Sequence, residues 1–79
     1  MLHLNPDTGQ IAMITVELNG KKLELPPSSS VTDLLAMIGS DGKTVAVLLN
    51  EKIVRPENRS TAVLHERDRV EVLVFAGGG

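Results

Sequence analysis

Three glycines, Gly77-Gly78-Gly79, close the sequence directly behind Ala76 and the apolar run Val70–Phe75. Glycine lacks a Cβ, so a run of it can thread a narrow cleft in extended form and approach a cofactor closely. A free α-carboxyl, with a reference pKa of about 3.5, is ionised at neutral pH. Such a carboxylate is inert as an electrophile until it is activated, for instance by adenylation. Composition leaves three readings of the tail: a frayed end, a cloning remnant, or an arm whose carboxylate does chemistry. The frayed end is the ordinary one.

Other residues with reactive groups have less support. Gly39-Ser40-Asp41-Gly42-Lys43-Thr44 lacks the spacing of a phosphate loop and follows a helical pattern rather than a strand, so it reads as a helix cap and turn. Ser40, His65 and Asp68 have the residue types of a hydrolytic triad but no pocket-forming context. With His3 and His65 as the only histidines and no cysteine, a zinc site would need carboxylates from scattered positions, and no metal site is expected. Cysteine nucleophiles and disulfides are excluded outright.

Composition bounds the rest. A chain of 79 residues is one small domain, and such a chain hides only about 60% of the surface its unfolded form exposes. A deep, walled pocket does not fit, which argues against an autonomous enzyme. Phe75 is the only aromatic residue and the net charge is −2, so neither stacking platforms nor a positive field for nucleic acid is present. No run approaches the roughly 20 apolar residues of a membrane span, and Met1–Ala12 has no signal-peptide pattern. A cytoplasmic location is the default expectation.

The elements that must position the tail follow from periodicity. Residues 1–12 read as a flexible leader, residues 13–75 as the folded domain and residues 76–79 as a flexible glycine tail. Ile14, Val16 and Leu18 alternate with polar residues, Asn19-Gly20 is a hairpin-turn signal, and Leu23 and Leu25 resume the alternation up to Pro26-Pro27. Val31, Leu34, Leu35 and Ile38 mark one face of a short helix with Ser30 as N-cap, Asp33 near its start and Gly39 at its end. Val45–Leu49 reads as a strand deep in a sheet. Ile53-Val54 follows a tight turn, and Thr61–Leu64 pairs briefly. Glu66–Arg69 reads as a solvated charged turn, and together with Arg55 and Arg59 offers charges to orient a partner. In Val70–Phe75 the residues Val70, Val72 and Val74 share one face, while Glu71, Leu73 and Phe75 share the other. Parity alone does not say which side is buried. An open Leu73–Phe75 side would be an apolar patch for a protein partner. A last strand this apolar belongs away from a sheet edge. The fold class is α+β: a mixed sheet of four to five strands packed on one helix, the β-grasp arrangement.

On that pattern the sequence resembles the ubiquitin-like sulfur carriers, most closely the ThiS family of thiamin biosynthesis. The resemblance runs from Met13 to Gly79. It is carried by Ile14–Gly20, Ser30–Leu35, Val45-Ala46-Val47, Leu49–Val54, Asp68–Val72 and the terminal Gly-Gly. Arg67 departs from it, standing where the family commonly has glycine, and implies a turn of different shape. The resemblance implies a carrier rather than a catalyst. A ThiF-like adenylyltransferase would adenylate the Gly79 carboxylate with its own ATP and magnesium, the carrier itself binding no cofactor. A sulfur donor such as a persulfide enzyme would convert the adenylate to a thiocarboxylate, and a ThiG-like thiazole synthase would accept the sulfur. Gly78 would be the essential spacer, Gly77 and Ala76 would extend the arm, and Leu73 and Phe75 would meet partners. A carrier for molybdopterin or another sulfur product, and a ubiquitin-like protein modifier, are the alternatives.

Overall fold

Residues 12–75 are described by a computed structural model. The leader expected over residues 1–12, apart from Ala12, and the tail expected over residues 76–79 lie outside them.

The alternating segments form an antiparallel hairpin of β1 (Ile14–Leu18) and β2 (Lys21–Leu25), in register Ile14↔Leu25 to Leu18↔Lys21. Both turn residues have positive φ, 49° at Asn19 and 83° at Gly20, the combination a two-residue hairpin requires. A second turn of this kind, Asn50-Glu51 with φ of 50° and 72°, joins β3 (Val45–Leu49) to β4 (Lys52–Val54). The helix α1 (Val31–Met37) starts at a reciprocal cap. The Ser30 hydroxyl accepts from the Asp33 N–H at 3.1 Å, and the Asp33 carboxylate accepts from the Ser30 N–H at 2.9 Å. Gly39, at φ 79°, ends it, and its N–H donates to Ala36 while that of Ser40 donates to Leu35.

The helix stops at Met37, earlier than the apolar spacing predicts. Ile38 is its C-cap, with φ −89° and ψ 4°, and is exposed rather than part of the buried face. Its N–H still donates to the Leu34 carbonyl at 3.1 Å, so it stands at the open end of the stripe that Val31, Leu34 and Leu35 bury.

β5 (Arg69–Val74) completes a sheet of order β2-β1-β5-β3-β4. It lies at the centre, parallel to β1 and antiparallel to β3, as its apolarity predicts. Thr61–Leu64 contributes a single bridge, Ser30↔Val63. The core between sheet and helix contains Val16, Leu25, Val31, Leu34, Val47, Leu64 and Val70, all essentially solvent-free. The fold is the expected α+β β-grasp, a mixed five-stranded sheet with one α-helix on one face. Among the described residues no helix is long and apolar enough to cross a membrane.

The charged turn before β5 is more built than a solvated loop. Asp68 accepts from the His65 N–H at 2.8 Å and from Asn50 Nδ2 at 3.0 Å, while Glu66 accepts from the Thr15 N–H at 2.8 Å. Arg67 sits at φ 69°, the left-handed region glycine favours, and its N–H reaches the Thr15 carbonyl at 2.7 Å. The arginine adopts a glycine-type backbone instead of re-routing the turn.

Candidate functional site: the open sheet face at the root of the tail

Strand pleating sends alternate side chains of β5 to opposite sides. Val70 and Val72 point into the core. Leu73 and Phe75 point outward and are 51% and 60% exposed, so the open side is the Leu73–Phe75 side. Val74 shares parity with the buried valines yet is 71% exposed. It lies at the strand's end with Ile38, Gly39 and Ser40 around a shallow depression, beyond the cover of the short helix.

Register extends the patch. Leu73 pairs with Ala46, and Leu48 pairs with Glu71 on one side and Ile53 on the other. Directly opposed residues share a sheet face, so Ala46, Leu48, Ile53, Leu73 and Phe75 form one apolar surface across β4, β3 and β5. Ile53 is 72% exposed, the barest large apolar residue among those described. The sequence reading missed it. A three-residue strand shows no period, and only the register with β3 assigns Ile53 a side.

The other half of this face is charged. Glu17 lies between Lys22 of β2 and Arg69 of β5, and Arg69 Nη2 stands 3.8 Å from Glu51 Oε1. Exposed pairs of this kind contribute little stability and mainly orient an approaching partner. Arg55 belongs with this exposed set, in a pair with Glu57. Arg59 does not: it is only 6% exposed and is no part of a charged rim. Its guanidinium is drawn inward by the carbonyls of Gly42 and Val45.

At the root of the tail, the Phe75 N–H donates to the Thr44 carbonyl at 2.9 Å. Of the predicted site residues, Leu73 and Phe75 are thus placed together at this root. Ala76, Gly77, Gly78 and Gly79 lie outside the described residues. The triad types are not assembled. His65 Nδ1 is 3.9 Å from Asp68 Oδ2 just before the start of β5, but Ser40 lies beside Val74 at that strand's other end. Lys43 N–H bonds Asp41 Oδ1 in a local turn, as the cap-and-turn reading of Gly39–Thr44 predicts.

The ThiS family profile matches residues 10–79, which takes in the whole sheet and runs through the terminal glycine. The chain belongs to the ThiS family of sulfur carriers. It is 34% identical over 65 residues to the sulfur carrier protein ThiS of Bacillus subtilis (strain 168), covering 81% of this chain and 98% of that one. A crystal structure of the thiamine biosynthesis protein (ThiS) from Geobacter metallireducens superposes with a TM-score of 0.71 at 32% identity, covering 84% of this chain and all of the other. A thiazole synthase of Paramagnetospirillum magneticum (strain ATCC 700264 / AMB-1) is 32% identical over 62 residues. That match takes in 78% of this ThiS-family chain but only 19% of the synthase.

Proposed function

We propose that this ThiS-family protein carries sulfur on the Gly79 carboxylate for thiazole formation in thiamin biosynthesis, acting as a co-substrate of partner enzymes. The carboxylate attacks the α-phosphorus of ATP on a ThiF-like adenylyltransferase, with magnesium there, and pyrophosphate leaves. A persulfide sulfur from a donor enzyme displaces AMP from the acyl carbon. Cleavage of the resulting acyl disulfide by a thiol leaves the thiocarboxylate, whose sulfur passes to a ThiG-like thiazole synthase.

The observation that carries this reading is where Phe75, the residue before Ala76 and the three glycines, sits. It follows the central strand at the edge of an exposed apolar face, inside the stretch matched by the family. Gly79 is the fourth residue beyond Phe75, and four residues span at most about 14 Å. An enzyme that encloses the Gly79 carboxylate must therefore press against the surface around Phe75, and that surface is Leu73, Ala46, Leu48 and Ile53. Gly78 and Gly77 are the segment that fits a narrow channel, since any Cβ would widen it. The presence of a related segment within a thiazole synthase supports that enzyme as the sulfur acceptor.

The test is an intact mass of the protein after incubation with an adenylyltransferase, ATP and a sulfur source. One terminal oxygen should be replaced by sulfur, and deleting Gly79 should abolish the change. Lysine-linked conjugates instead would identify a protein modifier, and sulfur transfer to a pterin synthase would identify the molybdopterin branch.

A further inference from the structure

Among the described residues, Arg59 is a buried cation without a carboxylate partner. Its Nη1 donates to the Gly42 carbonyl at 2.7 Å and its Nη2 to the Val45 carbonyl at 3.0 Å, while Nε has no partner among the described residues. Burying such a group is costly unless its fork achieves something an apolar side chain cannot. Its position shows what that is. β4 pairs with β3 only over Val47–Leu49, so the Val45 carbonyl lies beyond the end of β4. Arg59 supplies the donor that the short strand does not.

Successive carbonyls of an extended chain point to opposite sides. With Val45 turned toward Arg59, the Thr44 carbonyl faces β5, where it accepts the Phe75 N–H at 2.9 Å. Arg59 thereby grips the chain on both sides of the carbonyl that holds the last described residue before the tail. Gly42 completes the grip. Its φ is 76°, and a Cβ there would meet Arg59 Nη1 at 3.4 Å and Leu35 Cδ1 at 3.7 Å. The Arg59 carbonyl also accepts from the Thr32 N–H at 3.1 Å, tying the same residue to the first turn of α1.

We infer that Arg59 is a positioning residue for the tail: through Gly42 and Val45 it holds Thr44, and through Thr44 it sets the point at which the arm leaves the sheet. The consequence for sulfur transfer rests on the function proposed above, whereas the structural link does not. Amide exchange in the isotopically labelled full chain tests the link. Arg59→Lys keeps the charge but loses the fork, and Phe75 exchange should accelerate about tenfold, the loss of one charge-assisted hydrogen bond. The Glu17 and Asn19 amides, which pair with Asp68 and Val70 at the far end of β5, should change much less. Leu23→Ala, a destabilising change remote from the latch, should leave Phe75 exchange where it was.

Equal acceleration at Phe75, Glu17 and Asn19 would overturn the inference, as would an unprotected Phe75 amide in the native protein. Where Arg59→Lys fails to fold, Gly42→Ala provides the same readout, because a side chain at φ 76° strains the backbone whose carbonyl Arg59 holds. Failure of both to fold would assign Arg59 to general stability and also overturn the inference. With a working adenylyltransferase, Arg59→Lys should raise KM for the carrier several-fold and leave kcat near its native value. An unchanged KM beside a loosened Phe75 would refute the positioning role. A native protein that accepts no sulfur would sink the proposed function and leave the exchange result standing.

Discussion

The two faces of β5 are both apolar and meet opposite fates. Val70 and Val72 are sealed under α1, while Leu73 and Phe75, one residue out of phase, lie open beside Ala46, Leu48 and Ile53. Hydrophobicity cannot separate the two sets. The covered face is apolar because the fold needs a core, and the open face is apolar with little benefit to the isolated chain. The open face is the one that includes Phe75, the residue next to the glycine tail.

The largest expected effect lies on the covered face. Leu34 is solvent-free at the centre of the helix–sheet contact, and Leu34→Ala should cost about 2–5 kcal/mol in a urea titration, from lost burial plus a residual cavity. In so small a domain that is a large share of the total, and partial unfolding at room temperature is the expected outcome. A cost well below this would mean that the core collapses around the gap, and the contrast between the faces would weaken.

The open face should behave in reverse. Replacing Ile53 and Leu73 together by serine removes mostly exposed methyl groups and some cross-strand contact, so stability should fall by no more than about 1–2 kcal/mol, less than for Leu34→Ala. Binding to the adenylyltransferase of the proposed function, followed by titration calorimetry, should fall about tenfold or more, the equivalent of about 1.4 kcal/mol at the centre of an interface. Should the pair destabilise the fold by more than this and leave binding intact, the patch would be part of the core's support and not a docking surface.

Much of this was legible in the residues. Asn19-Gly20, Ser30 with Asp33, and Gly39 are local signals whose chemistry is complete within a few positions, and each behaves as its type predicts. Ile38 misled because helical spacing continues through a residue that stands at the open end of the buried stripe. The side chosen by β5, the exposure of Ile53 and the burial of Arg59 depend on register between segments far apart in sequence. Arg59 in particular sits in a polar stretch, Arg55–Ser60, that reads as solvated. Its burial follows from a carbonyl left over where β4 stops short, a fact that no local pattern contains.

A change that touches neither face should move stability the other way, and by the smallest amount. Arg67 holds φ 69° with its side chain in the open depression formed with Thr15, Glu17 and Lys22. A non-glycine residue in the left-handed region costs about 1–2 kcal/mol. Glycine would remove that strain but lose about 0.5–1 kcal/mol through the greater freedom of its unfolded chain. The backbone bond from residue 67 to the Thr15 carbonyl needs only an N–H, so glycine keeps it. Arg67→Gly should therefore raise stability by up to about 1.5 kcal/mol, visible as a higher urea midpoint with an unchanged slope. It should leave adenylyltransferase binding nearly as it was, because the turn lies at the opposite end of β5 from Phe75. A lower midpoint would show that the Arg67 side chain contributes more by packing along Glu17 and Lys22 than its backbone loses. The charged half of the open face would then be a structural support, and the apolar half alone would remain as the surface left for partners.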